Sequence, residues 1–169
     1  MQLFALRIKN KKLAPSLGFT LIEILVVLAI IGVMLVSVAI KTFPDERQIL
    51  RQEAERLGLL LEQARDEAFT SGRSIAWSMQ NNTYGFSRLN AERQWAPIAE
   101  NPVLRMRTLP APVTLTVVTI NQEKVPLNER LIFTPSGLNS SFTATLALHD
   151  HRVHLSGDSA GRVQVIDEN

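Results

Sequence analysis

From Phe19 to Ile40 the chain carries 22 consecutive residues with a single charged side chain, Glu23. As a helix rising ~1.5 Å per residue, such a run is roughly 33 Å long, close to the hydrocarbon thickness of a bilayer. It is expected to be a transmembrane helix. Whatever else the chain folds into must be built from the residues that follow it.

The flanks give the run a direction. Arg7, Lys9, Lys11 and Lys12 precede it with no acid among residues 1–18, whereas Lys41, Asp45, Glu46 and Arg47 follow as a mixture. The excess of cations predicts an N-terminus in the cytoplasm and a C-terminal domain across the membrane. The same division explains the charge. The formal +2 is the sum of a leader at +4 and a remainder at −2, so the basic pI is no argument for nucleic-acid binding by residues 19–169. There is no cysteine, which excludes thiol chemistry, zinc–cysteine sites and disulfide staples.

A secretory signal would end its apolar region in a small-residue cleavage site, for which Ser37-Val38-Ala39 is a weak rival. The opposite border is more specific. Gly18-Phe19-Thr20-Leu21-Ile22-Glu23, followed by the apolar run to Gly32, resembles the class III signal of type IV pilins and pseudopilins. The resemblance implies that a prepilin peptidase cuts between Gly18 and Phe19, that Phe19 is then N-methylated, and that the apolar run is retained. It also implies that Glu23 meets the new amine of a neighbouring subunit and sets the assembly register. Physics agrees with that role. A carboxylate within an apolar helix costs a few kcal/mol unless paired or interfacial.

Beyond the run, Pro44 is expected to interrupt the helix. Ile49, Leu50, Ala54, Leu57, Leu60, Leu61, Ala64 and Ala68 recur at three- and four-residue steps, predicting an amphipathic helix to about Thr70, stopped by Ser71-Gly72. Arg51–Glu55 and Glu62–Arg65 are expected to pair on its other face. After Gly72 the period becomes two. Ile75–Met79 and Tyr84–Leu89 predict a hairpin turning at Asn81-Asn82-Thr83. Further strands are expected at Trp95–Ala99, Leu104–Thr108, Val113–Ile120, Leu131–Phe133, Thr143–Leu148, Arg152–Leu155 and Arg162–Ile166. The expected fold class is α+β and pilin-like, a long N-terminal transmembrane and amphipathic helix packed on an antiparallel β-sheet domain. The segments would be 1–18 as cleaved leader, 19–40 as transmembrane and assembly helix, 41–72 as its amphipathic continuation, and 73–169 as a β-rich periplasmic domain.

Ala64-Arg65-Asp66-Glu67-Ala68, Gly72, Tyr84-Gly85-Phe86, Trp95, Phe133-Thr134-Pro135-Ser136-Gly137 and Gly161-Arg162-Val163-Gln164-Val165 resemble the H-type minor pseudopilins of type II secretion systems, the GspH family. The domain is shared with minor pilins of the FimT/FimU kind. The resemblance implies a structural subunit of a secretion pseudopilus that helps export folded proteins across the outer membrane. It implies the bacterial inner membrane as location, and as partners the other major and minor pseudopilins, the prepilin peptidase/methyltransferase and the inner-membrane secretion platform. The alternative is a minor type IV pilus subunit with a DNA-binding role.

No chemistry competes strongly. His149 and His151 share the i,i+2 spacing of two ligands on one strand face, but Arg152 intervenes, His154 is expected past a turn, and no third ligand is fixed. A solvent-facing hairpin tip is the better reading. There is no G-x-S-x-G, phosphate loop or H-E-x-x-H, so no enzyme, cofactor or metal is expected. Arg105 and Arg107, with Arg88 and Arg93 nearby, form a conceivable basic patch. The acidic balance of residues 19–169 and the Asp167-Glu168 tail argue against nucleic acid as a partner.

Overall fold

The structure, a computed structural model, describes residues 19–42, 45–98 and 100–168, with side chains for all of these but 36–42. It falls into two units, Met1–Phe43 and Pro44–Asn169. The first contains α1, Leu21–Thr42, a 22-residue helix. Every described side chain from Phe19 to Leu35 is exposed, so the described side chains of this unit form no core among themselves. Among the described residues, no helix is long and apolar enough to cross a membrane. The expected span to Ile40 runs past Leu35 into positions whose side chains lie outside the described residues, as does Pro44.

The second unit opens with α2, Glu46–Ser71. Asp45 caps it, Oδ1 accepting from the Arg47 N–H at 3.0 Å, and Gly72 ends it at φ 67°, a left-handed conformation that glycine adopts without steric cost. The apolar stripe is buried as the period demands, at Leu50, Ala54, Leu57, Leu60, Leu61, Ala64 and Ala68. Each of its leucines contributes about 1.5–3 kcal/mol by leaving water.

Two sheets, not the single sheet expected, receive that stripe, and every strand pair in both is antiparallel. In the first, β1 (Ile75–Gln80) and β2 (Thr83–Leu89) form the expected hairpin, with Asn81 and Asn82 at φ 49° and 61°. Two consecutive positive φ values match the twist of a two-residue hairpin loop, and asparagine tolerates them. β3 (Trp95–Pro97) and β4 (Arg107–Thr108) pair with β2, and β7 (Leu131–Phe133) with β1. The second sheet runs β10-β9-β8-β5-β6, from β5 (Thr114–Ile120), β6 (Glu123–Val125), β8 (Phe142–Leu148), β9 (His151–Gly157) and β10 (Val163–Asp167). The helix packs on β8, β9 and β10 of this sheet and on β1 and β7 of the other. Trp77, Tyr84, Phe133, Leu146 and Leu155 fill the core beneath it.

Two local expectations are corrected. Arg51 does pair with Glu55 at 2.9 Å, but Glu62 and Arg65 do not pair with each other. Glu62 Oε1 accepts from the Val163 N–H at 2.9 Å, and Arg65 Nη1 donates to the Gly161 carbonyl at 3.0 Å. Main-chain groups at the start of an edge strand need partners, and helix side chains supply them here. The strand β6 has no counterpart among the expected strands.

Candidate assembly site at the start of the first helix

Of the expected site residues, Gly18 lies outside the described residues, while Phe19 and Glu23 are placed. Phe19 precedes α1 and is 76% exposed. Thr20 caps the helix: its Oγ1 accepts from the Glu23 N–H at 3.3 Å, and its carbonyl accepts from the amides of Glu23 and Ile24. Thr20-x-x-Glu23 is thus the capping-box spacing, a local signal of a helix start written in the sequence itself. It places Glu23 in the first turn, where a carboxylate faces the positive end of the helix dipole.

Among the described residues no ion pair involves Glu23. Its side chain is exposed, as are Leu21, Ile22, Ile24 and Leu25 around it. A carboxylate among exposed apolar side chains is costly to bury unless it is paired.

The other candidates divide. His149, at φ 51°, lies with Asp150 in the turn between β8 and β9, the hairpin tip expected, and its Nδ1 is 3.1 Å from Glu46 Oε2. His151 begins β9, and His154 lies on the same strand, correcting its expected place past a turn. Their odd separation puts them on opposite faces. His154 Nδ1 is 2.9 Å from Thr145 Oγ1, and its Nε2 is 3.3 Å from Glu168. Among the described residues no group of three or more acidic or imidazole side chains is placed to hold a metal ion.

The basic patch is divided in a similar way. Arg88 is half-buried and bridges Glu67 of α2, at 2.8 Å, and Glu100, so its charge is neutralised internally. Arg107 donates to the Val103 carbonyl. Burial pushes the phenol of Tyr84 upward in pKa, an effect that the Arg56 guanidinium beside it opposes.

An exposed apolar helix carrying one carboxylate, and a separate unit in which a helix lies across antiparallel sheets, define a pilin-like protein. Residues 53–166 match the family described as Type II transport protein GspH, and residues 14–39 match the Prokaryotic N-terminal methylation motif. The chain belongs to the GspH family. Type II secretion system protein H of Pseudomonas aeruginosa is 35% identical over 88 residues, which are 51% of this chain and 51% of that protein. The chain therefore spans about half the length of that curated relative. Among solved structures, the minor pseudopilin EpsH of the Vibrio cholerae Type 2 Secretion System superposes with a TM-score of 0.58 at 19% identity, over 73% of this chain and 98% of that one. The type IV minor pilin FimU of Pseudomonas aeruginosa gives 0.51 at 26% identity, over 72% and 90%. E. coli GspH gives 0.54 at 14% identity, over 72% and 91%. The pilin-like α+β fold expected from the sequence is the fold these proteins share.

Proposed function

We propose that this chain is a minor pseudopilin, a structural subunit of a type II secretion pseudopilus that helps move folded proteins across the outer membrane of a Gram-negative bacterium. Residues 1–18 are a leader removed by a prepilin peptidase, which also methylates Phe19. Residues 19–40 hold the subunit in the inner membrane by a single pass, and the domain from 73 to 169 lies in the periplasm, joined to the span by the helix within 41–72. During assembly α1 exchanges lipid for the helices of other major and minor pseudopilins. Glu23 then meets the terminal amine of a neighbour, a pair that in low dielectric favours one axial register.

The observation that carries this reading is the exposed helix surface from Phe19 to Leu35, apolar apart from Thr20 and Glu23, in a chain whose other unit is a GspH-family domain. An apolar surface of that extent is satisfied only by lipid or by other helices. On this reading the subunit works by assembling. The greater sequence identity to FimU than to EpsH supports a second reading, a minor subunit of a type IV pilus.

Replacement of the gene in its native host by Glu23→Leu separates these readings from each other and from a plain anchor. The pseudopilin reading expects a normally processed protein, loss of co-purification with sibling pseudopilins, and exoproteins retained in the periplasm. Loss of surface pili with intact secretion would favour the pilus reading. Normal assembly and secretion would refute the register role of Glu23.

A further inference from the structure

The outer face of the first sheet carries an open groove of about 650 Å³. Its floor is made by Ser78 of β1 and by Gly85 and Ser87 of β2, the residues that alternate with the buried Tyr84 and Phe86. Ser78 and Gly85 are cross-strand partners. Without a side chain at Gly85, the connection leading into β4 can lie low on the sheet. A Cβ built on Gly85 would sit 3.7 Å from Met106 Cγ and 3.8 Å from Met106 Cα, so a longer side chain would displace it.

Three features suggest what such a groove takes. Trp95 on β3 and Arg130, just before β7, come from opposite edges of the sheet, and the guanidinium carbon lies 5.9 Å from the indole centroid. Stacking of this kind holds the planar fork in place while leaving its N–H edge available. Arg105 adds a second guanidinium to the lining, and no aspartate or glutamate is among the lining residues. Among the described residues neither arginine has a carboxylate within salt-bridge distance. Met106, at 70% exposure, presents an adaptable apolar surface beside them. Tryptophan, methionine and arginine without lysine or acid is the composition of a protein-binding surface, in which such residues supply most of the affinity.

We infer that this groove binds an extended, carboxylate-bearing segment of a partner protein, an acidic side chain bridging Arg105 and Arg130 and a neighbouring apolar one resting on Met106. The inference stands apart from the filament reading, because it rests on the second unit alone and requires neither cleavage at Gly18 nor assembly through α1.

The test uses the full chain in nonionic detergent micelles, followed by NMR of the Met106 methyl and the Trp95 indole. The probe is a blocked heptapeptide alternating glutamate with leucine, which in extended form places its carboxylates on one face. Saturable shifts at Met106 and Trp95 are expected, with Trp77, buried in the core, unmoved. Replacing each glutamate of the peptide by glutamine, or using the Arg105→Gln/Arg130→Gln variant, should weaken binding about tenfold or more, as loss of charge-assisted bonds requires. Arg130→Lys keeps the charge but not the stacked fork, and should weaken it as well in a spectrum otherwise unchanged. Equal binding of the glutamate and glutamine peptides would overturn the inference. So would no shift at millimolar peptide, or tighter binding at the same residues by a single-stranded oligonucleotide or by polygalacturonate.

Discussion

Single residues in this domain do work that their type alone does not announce. Phe142 and Gly157 are cross-strand partners on β8 and β9, and the phenyl ring lies over the glycine so closely that a Cβ there would sit 2.0 Å from the ring. Gly157→Ala is expected to cost about 1–3 kcal/mol by forcing the ring off its site, read as a lower urea midpoint at unchanged m-value. Asp158, next in the chain, accepts from the Arg162 N–H at 2.9 Å and from its Nε at 3.1 Å. The bond from the Arg162 backbone amide, ahead of the side chain and its charge, holds the Asp158 carboxyl below the usual range. Its ionised form therefore stabilises the turn above the unfolded pKa of ~3.9, and that contribution fades as pH falls through the lower folded value. Amide exchange at Arg162, corrected for intrinsic rate, should accelerate only in that acid window. Asp158→Asn should remove the pH dependence. Neither the glycine contact nor the aspartate turn was legible in advance, because each depends on which strands meet.

At the scale of elements, legibility follows how local the determinant is. The stripe from Leu50 to Ala68 was readable because a 3.6-residue period is written within one segment, and its limits at Asp45 and Gly72 are set by adjacent residues. The β1–β2 hairpin was readable because Asn81-Asn82 supplies two positive φ values between alternating runs. β6 was not readable, since Glu123-Lys124-Val125 is a short, largely exposed edge strand with no alternation to detect. The division into two sheets was hidden as well. β7 reaches back to pair with β1, and the first sheet is closed by a partner far away in sequence. The expected Glu62–Arg65 pair failed for a related reason, as Glu62 bonds the first residue of β10 and Arg65 the Gly161 carbonyl in the turn before it. Because α2 is shared by both sheets, its stripe is expected to be the most sensitive element. Leu57→Ala or Leu61→Ala, each at a fully buried position, should cost about 2–5 kcal/mol, measured by chemical denaturation of the second unit's signal. Leu59→Ala, on the exposed side of the same helix, should cost well under 1 kcal/mol.

For the whole molecule, the two units divide the labour. Residues 45–168 spend many of their apolar side chains on a core, whereas the described side chains from Phe19 to Leu35 are exposed. The proposed site rests on a border written in the sequence, where Gly18-Phe19 and Glu23 stand in a fixed relation to the apolar run. The capping role of Thr20 and the groove over Gly85 became visible only with coordinates. The account as a whole depends on α1 being kept, freed of its basic leader, and used as an assembly surface. Mass spectrometry of the protein purified from its native host tests this most directly. An N-terminal peptide beginning at N-methylated Phe19 is the result predicted. A chain still bearing Met1, or one whose first residue falls near Thr42, would contradict it.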